Sequence, residues 1–258
     1  MTGPTPPPVE PPLPPAFYAH PAMLRRTALR DWWTLLHPPY TLWHLSYVVI
    51  GACLPMRVDV ARLVAAVIAF LLAVGIGAHA LDELHGRPLR TTIPTATLIA
   101  AAVGGLGGAV ALGIVGIGRV GAGLGVFIVV GVVLAVGYNL ELLGGRLHTD
   151  VVFALSWGAF PLLTGSYAQQ GRITPAAVVG AVFAYFLSRA QRHLSTPARA
   201  LRRTTRHVQG TVVHTDGTRT DLNRATLLTP IEAALRSLTW GTVALAAALA
   251  VARLTHTR

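Results

Sequence analysis

A polytopic α-helical membrane bundle is the fold class that this sequence predicts, and three observations predict it. Hydrophobic residues make up 53% of the 258-residue chain and charged residues only 12%, where a soluble domain carries about 25% charge. The mean hydropathy is +0.56, and apolar runs of roughly 20 residues, the length that crosses a bilayer core, recur along the chain. The arginines are distributed unevenly between the connections that join those runs.

Taken in order, residues 1–24 read as a proline-rich, disordered tail, because nine of the eighteen prolines fall within the first 21 residues and proline-rich chains stay extended. No basic start followed by an apolar core is present, so this tail is not a signal peptide. Residues 30–37, RDWWTLLH, have the paired tryptophans of a membrane interface. Seven spans follow, at about 40–56, 62–81, 95–117, 121–142, 150–168, 174–190 and 233–252. Residues 25–258 thus form one transmembrane helical domain, with a basic cytoplasmic loop at 188–230 inside it. Gly104 and Gly108 in the third span have the small-xxx-small spacing that lets helices approach closely. Cys53, the single cysteine, lies in an apolar run and reads as a small buried hydrophobe.

Every one of the 21 basic residues is arginine. With seven spans, fifteen of them share the side of the N-terminus and six lie on the other. The positive-inside rule therefore places the N-terminus in the cytoplasm. It also accounts for the net charge of +11 without nucleic acid, since no compact base-reading module is present; anionic membrane lipids are the better partners. The composition, rich in Arg, Ala, Val and Gly and without Lys, points to a GC-rich bacterial genome and hence to the bacterial cell membrane.

Of the ten acidic residues, Asp82, Glu83, Glu141 and Asp150 fall at the cytoplasmic ends of spans two, four and five, where ionisable groups are costly and indicate function. In AHALDELHGRPLR, residues 78–90, the spacing puts His79, Asp82 and Glu83 on one helical face. Paired carboxylates suit Mg²⁺, which keeps waters and bridges to substrate phosphates, and Arg87 and Arg90 follow with guanidinium forks that match phosphate oxygens. The bland alternative is a helix end capped by acids and anchored by arginines. A second cluster, GYNLELLGGRLHTD at 137–150, crowds Tyr138, Asn139, Glu141, Arg146, His148 and Asp150, although Asp150 equally suits a helix start. A third, at 188–207, holds Arg189, Arg192 and His193 and no acid; it reads as a lipid-facing loop or an anion-binding lid.

With these residues in view, residues 30–210 resemble the UbiA superfamily of intramembrane prenyltransferases, nearest to the branch that prenylates dihydroxynaphthoate in menaquinone synthesis. WWTLLHPPYTLWHLSYVVIGA is similar to that family's first helix, and the turn of Gly165, Tyr167, Gln169 and Gly171 to its middle segment. The first aspartate-rich motif of the family, N-D-x-x-D-x-x-x-D before Arg-Pro, corresponds here to AHALDELHGRP. Asp82 matches the middle aspartate and Arg87-Pro88 the end. Ala78 and His79 stand where the Asn-Asp pair would be and Gly86 at the last aspartate, and Glu83 stands as a substitute. The second motif corresponds to RAQRHLSTP, with Arg192 retained, His193 and Pro197 at the aspartate positions, and no acid. The family typically has nine spans, so two C-terminal ones are expected to be missing.

The resemblance implies an enzyme that transfers the prenyl group of an isoprenoid diphosphate to an aromatic or lipid acceptor, with Mg²⁺ as cofactor. Asp82 and Glu83, with His79 and Asp150, would hold the metal. Arg87, Arg90, Arg146, Arg189 and Arg192 would grip the diphosphate, and Tyr138 and Asn139 would line the chamber at the reacting carbon. Cyclisation, as in a membrane terpene cyclase, is an alternative outcome. A non-catalytic isoprenoid- or quinone-binding or scaffold protein is the alternative of another class, favoured by the missing acids.

Overall fold

The computed structural model describes residues 27–255, so the proline-rich tail lies outside the described residues. Eight helices and one hairpin follow: α1 (Thr27–Leu36), α2 (Pro38–Ala52), α3 (Val60–Leu84), α4 (Thr95–Val120), α5 (Leu124–Asn139), α6 (Asp150–Gln170), α7 (Pro175–Arg203), β1 (Gly210–Val213), β2 (Arg219–Leu222) and α8 (Arg224–Thr255). The chain is therefore helical, as expected. Four helices, α3, α4, α6 and α8, are long and apolar enough to cross a membrane. The other three expected spans coincide with α2, α5 and α7. The first two, at 15 and 16 residues, extend only about 23–24 Å, short of the ~30 Å hydrocarbon core.

Local sequence sets the helix ends. Pro38 and Pro39 occupy the first turn of α2, where no N–H is needed, and His37 just before them takes the left-handed conformation that separates α1 from α2. Asp59 caps α3 by accepting the Arg62 N–H at 3.0 Å. Thr149 caps α6 by accepting the Val152 N–H at 3.2 Å; Asp150 follows in the first turn, where its charge complements the helix dipole.

The larger of two compact units comprises the described residues up to Ala190 together with Leu238–Thr255. Its buried core joins Trp43 and Tyr47 of α2 to Leu162 of α6 and Ala184 of α7. Inside it, the Trp43 indole N–H donates to the Tyr47 hydroxyl at 2.6 Å, and the Ser188 hydroxyl donates to the same oxygen at 3.2 Å. Large apolar side chains lie on the outside instead: Val103 and Val115 on α4 and Val126 and Val129 on α5 are about two-thirds exposed. A belt of this kind suits lipid rather than water and agrees with the four membrane-length helices.

Glycines bring helix backbones together, at positions other than the spacing suggested. A Cβ at Gly105 would lie 2.6 Å from the Leu72 carbonyl oxygen and 2.8 Å from the Gly77 nitrogen, so α3 and α4 touch through Gly105 and Gly77. Gly104 faces open space, and Gly108 meets only a Leu72 methyl. The periodicity located the right helix and missed the contact face by one residue, a rotation of about 100°. In the same way, Gly51 of α2 lies against the Leu162 carbonyl and Gly165 of α6 against the Val48 carbonyl.

Both α3 and α6 widen into π-helical turns, at Leu71–Ala78 and Leu155–Ala159. Each carries a carbonyl taken by an imidazole: His79 Nδ1 donates to Gly75 O at 3.1 Å, and His44 Nδ1 of α2 donates to Trp157 O at 2.8 Å. A π turn shifts the hydrogen-bond ladder and commonly marks a functional stretch of helix.

The smaller unit comprises Gln191–Ser237. The sequence suggested a loop here, but α7 runs on to Arg203 and α8 begins at Arg224. The reason is a second apolar stripe: Leu194, Ala198 and Leu201 pack against Leu228, Ile231 and Leu235. Beside this core, Arg202 and Glu232 form a two-pronged ion pair at 2.5 and 2.7 Å. The antiparallel hairpin pairs Gly210 with Leu222 and Val213 with Arg219. In the five-residue connection between the strands the His214 N–H donates to the Thr218 carbonyl at 2.8 Å, and Gly217 takes the left-handed conformation. The Thr218 hydroxyl and N–H both donate to Asp216, at 2.7 and 2.9 Å, which holds that carboxyl below the usual value.

Candidate functional site

At the C-terminal end of α3 the predicted acids take different roles. Glu83 is fully buried. Its Oε1 accepts the Thr91 N–H and hydroxyl, both at 2.9 Å, and its Oε2 accepts the Leu89 N–H at 2.9 Å. Arg87 sits at φ 53 and donates to the Ile93 carbonyl at 2.6 Å and to the Thr95 hydroxyl at 2.8 Å. Glu83 and Arg87 thus fold the connection between α3 and α4 onto both helix ends. The same connection is fixed to α1, where Asp31 accepts the Thr92 N–H at 2.7 Å and the Thr92 hydroxyl. Asp82 is half-buried, and Arg90 is exposed at φ 53. The His79 ring lies 5.5 Å from that of His37.

At the end of α5, Tyr138 is buried, stacked on His148 at 4.4 Å and edge-on to Trp157 at 5.8 Å. The buried Asn139 amide donates to the Ala135 carbonyl within its own helix at 2.7 Å. Glu141, at φ 49, lies between two imidazoles, 3.9 Å from His85 and 3.7 Å from His148. The first and second sequence clusters therefore meet through His85 and Glu141. Arg146 is exposed and Arg189 half-buried. Arg192 and His193 belong to the smaller unit.

The donor set does not build the expected Mg²⁺ site. Among the described residues no group of three or more His, Cys, Asp or Glu side chains is arranged to hold a metal. Glu83 has its carboxylate engaged by three protein donors, His79 uses Nδ1 on its own helix, and Asp150 stands at the start of α6.

A cavity of about 210 Å³ opens between α3, α4, α5 and α6. Small residues make the space, among them Ala65, Ala69 and Ala73 on α3 and Gly113 and Gly131 on the facing helices; Phe70, Phe127 and Phe160 wall it. At its inner end lie Trp157 and Ser156, whose hydroxyl is buried with no hydrogen-bond partner. None of Asp82, Tyr138, Asn139 or Arg146 lines it. Contact of Tyr138 and Ala135 with Trp157 and Val74 forms a buried cluster beyond that end.

Sequence reasoning missed the residues at the cavity's other end, Arg62 and Arg119. Arg62 donates to the Gln169 carbonyl at 3.0 Å and to the Arg119 carbonyl at 2.6 Å, and its Nε lies 3.5 Å from Asp59. This end also explains the turn of Gly165, Tyr167, Gln169 and Gly171. Gly165 admits α2, Tyr167 reaches Gly123, Gln169 pairs through its amide with the backbone of Asp59 at 2.8 and 3.2 Å, and Gly171 ends α6 in the left-handed conformation. Arg62, more than five turns from the nearest acid of the predicted site, Asp82, carried a signal only as a charge just inside an apolar run.

No protein-family model matches the chain, and no curated protein or solved structure matches it either.

Proposed function

We propose that this protein houses an isoprenoid-type chain within the membrane, in the cavity between α3 and α6. Following its resemblance to UbiA-type enzymes, its activity is prenyl transfer from an isoprenoid diphosphate to an aromatic or lipid acceptor. The observation that carries the first part is the cavity itself: an apolar, phenylalanine-walled space between the membrane-length α3, α4 and α6 and the shorter α5, of the kind that buries a hydrocarbon chain. Seven spans with a cytoplasmic N-terminus in a bacterial cell membrane belong to the same reading.

Transfer would break the C1–O bond of the substrate. The diphosphate leaves with the bonding electrons, the acceptor bonds to C1, and the acceptor gives up a proton. In this reading the half-buried Asp82 and the exposed Arg90 and Arg146 are the charged groups that meet the diphosphate. Mg²⁺ enters this reading only as an ion brought in with the diphosphate, and no step is assigned to it.

A second reading, a non-catalytic isoprenoid- or quinone-binding protein, is favoured by a specific observation. Glu83 and Arg87, the strongest remnants of the first motif beside Asp82, hold the α3–α4 connection together. Purified protein given farnesyl or geranylgeranyl diphosphate, with and without Mg²⁺, separates the two. Diphosphate release that disappears in Asp82→Asn supports the enzyme; binding without release supports the binding protein.

A further inference from the structure

The outer end of the cavity is bolted. The Arg62 guanidinium crosses from α3 and donates to last-turn carbonyls of two facing helices, Arg119 of α4 at 2.6 Å and Gln169 of α6 at 3.0 Å. This crossbar joins three of the four helices that wall the space, and Asp59 backs it, 3.5 Å from the Arg62 Nε. The inner end, toward Asp82, holds Trp157 and the Ser156 hydroxyl, which is buried without a hydrogen-bond partner. Between the two ends the α3 wall is cut back to methyl groups. Ala65, Ala69 and Ala73 recur every fourth residue, share one face of the helix and all line the cavity.

We infer that this wall selects the length of the isoprenoid chain: Arg62 is the stop, and Ala73, Ala69 and Ala65 keep open the successive positions that the chain fills on its way there. This rests on the proposed function, in which the diphosphate meets Asp82, Arg90 and Arg146 and the chain runs past Trp157 into the cavity. It adds to that reading the residues that set chain length. Arg62 precedes Asp82 by 20 residues on α3, about 30 Å at helical rise. An extended isoprene unit, four carbon–carbon bonds of about 1.5 Å in zigzag, advances about 5 Å, so about six units fill that distance. A longer chain has to displace bonds donated by a charged group, which are stronger than neutral ones. Ala73, Ala69 and Ala65 lie nine, thirteen and seventeen residues from Asp82, about 13, 20 and 25 Å along the helix. A larger side chain at each position therefore meets a different part of the chain.

The experiment uses the full chain in phosphatidylcholine nanodiscs, with Mg²⁺ and no acceptor. Geranyl, farnesyl, geranylgeranyl, hexaprenyl and octaprenyl diphosphate are titrated by calorimetry. Each affinity is read as the ratio of variant to parent for the same ligand, which cancels the greater partition of long chains into lipid. Ala73→Leu is expected to weaken farnesyl diphosphate and everything longer, Ala69→Leu geranylgeranyl diphosphate and longer, and Ala65→Leu only hexaprenyl diphosphate and longer. Each loss should be about tenfold or more, the scale of one overpacked contact. Geranyl diphosphate is too short to reach Ala73, so it should bind all three variants as it binds the parent, which also reports that they fold. Arg62→Ala should strengthen octaprenyl diphosphate about tenfold and leave farnesyl diphosphate unchanged. The three alanine positions test the order independently of Arg62, whose bonds also hold the helices.

An equal loss for every chain length at all three alanine positions overturns the inference. So does the reverse order, in which Ala65→Leu excludes the shortest chains and Ala73→Leu only the longest. Octaprenyl diphosphate that binds a folded Arg62→Ala protein no better than the parent removes Arg62 as the stop. All three outcomes leave the proposed function standing where geranyl diphosphate binds the parent and Asp82→Asn weakens it. Failure of every prenyl diphosphate to bind the parent overturns that function and the inference with it.

Discussion

Thr91 donates both its backbone N–H and its hydroxyl to one oxygen of Glu83, each at 2.9 Å, across eight residues of chain. Glu83 is fully buried and Thr91 nearly so. The acid that looked like half of a metal-binding pair is thus the post around which the α3–α4 connection is wound. Removing it leaves buried donors without an acceptor, which costs more than the loss of an exposed bond.

Glu83→Ala is accordingly expected to destabilise the protein by about 2–4 kcal/mol. Glu83→Gln, which keeps one carbonyl acceptor, should lose about half as much. Thermal unfolding in detergent, followed by intrinsic fluorescence, measures both. A Glu83→Ala protein as stable as the parent would show that the connection is held by other bonds.

Two neighbouring glycines should respond in opposite ways. Gly105→Ala places a methyl 2.6 Å from the Leu72 carbonyl oxygen and 2.8 Å from the Gly77 nitrogen, so α3 and α4 must separate. A loss of about 1–3 kcal/mol is expected, as for other overpacked contacts. Gly104→Ala meets nothing within 4 Å and should be neutral or slightly stabilising, because alanine is the better helix former. The two melting temperatures, compared side by side, test the register of the α3–α4 contact.

The hairpin carries a pH dependence with a defined sign. Hydrogen bonds from Thr218 hold the Asp216 carboxyl below its ordinary value. A depressed carboxylate favours the folded form above the ordinary aspartate value, and that contribution disappears as pH falls through the lowered one. Protection of the Thr218 amide should therefore be flat from pH 8 to about pH 5 and fall only below about pH 4. Amide hydrogen exchange on the parent and on Asp216→Asn reads this directly. The variant should lack the acid-side fall.

The sequence by itself determined the class of the molecule. Scarcity of charge and the length of the apolar runs are properties of composition and spacing, and they placed each helix near its position because a helix in lipid must carry its own backbone hydrogen bonds whatever its neighbours do. It also found the places where charge gathers at helix ends. What it could not determine was which partner each charged group meets. Glu83 and Asp82 are adjacent in sequence, yet Glu83 is enclosed by a connection that returns eight residues later. Arg62 and Arg119 are 57 residues apart and come together because α3 and α4 run antiparallel across Gly77 and Gly105. The smaller unit shows the same limit: Arg202 meets Glu232 only once α7 and α8 extend past their apolar stretches. Periodicity reports the environment of a helix face. Tertiary packing alone decided which face, and so turned two candidate ligands, Glu83 and Arg87, into structural ties.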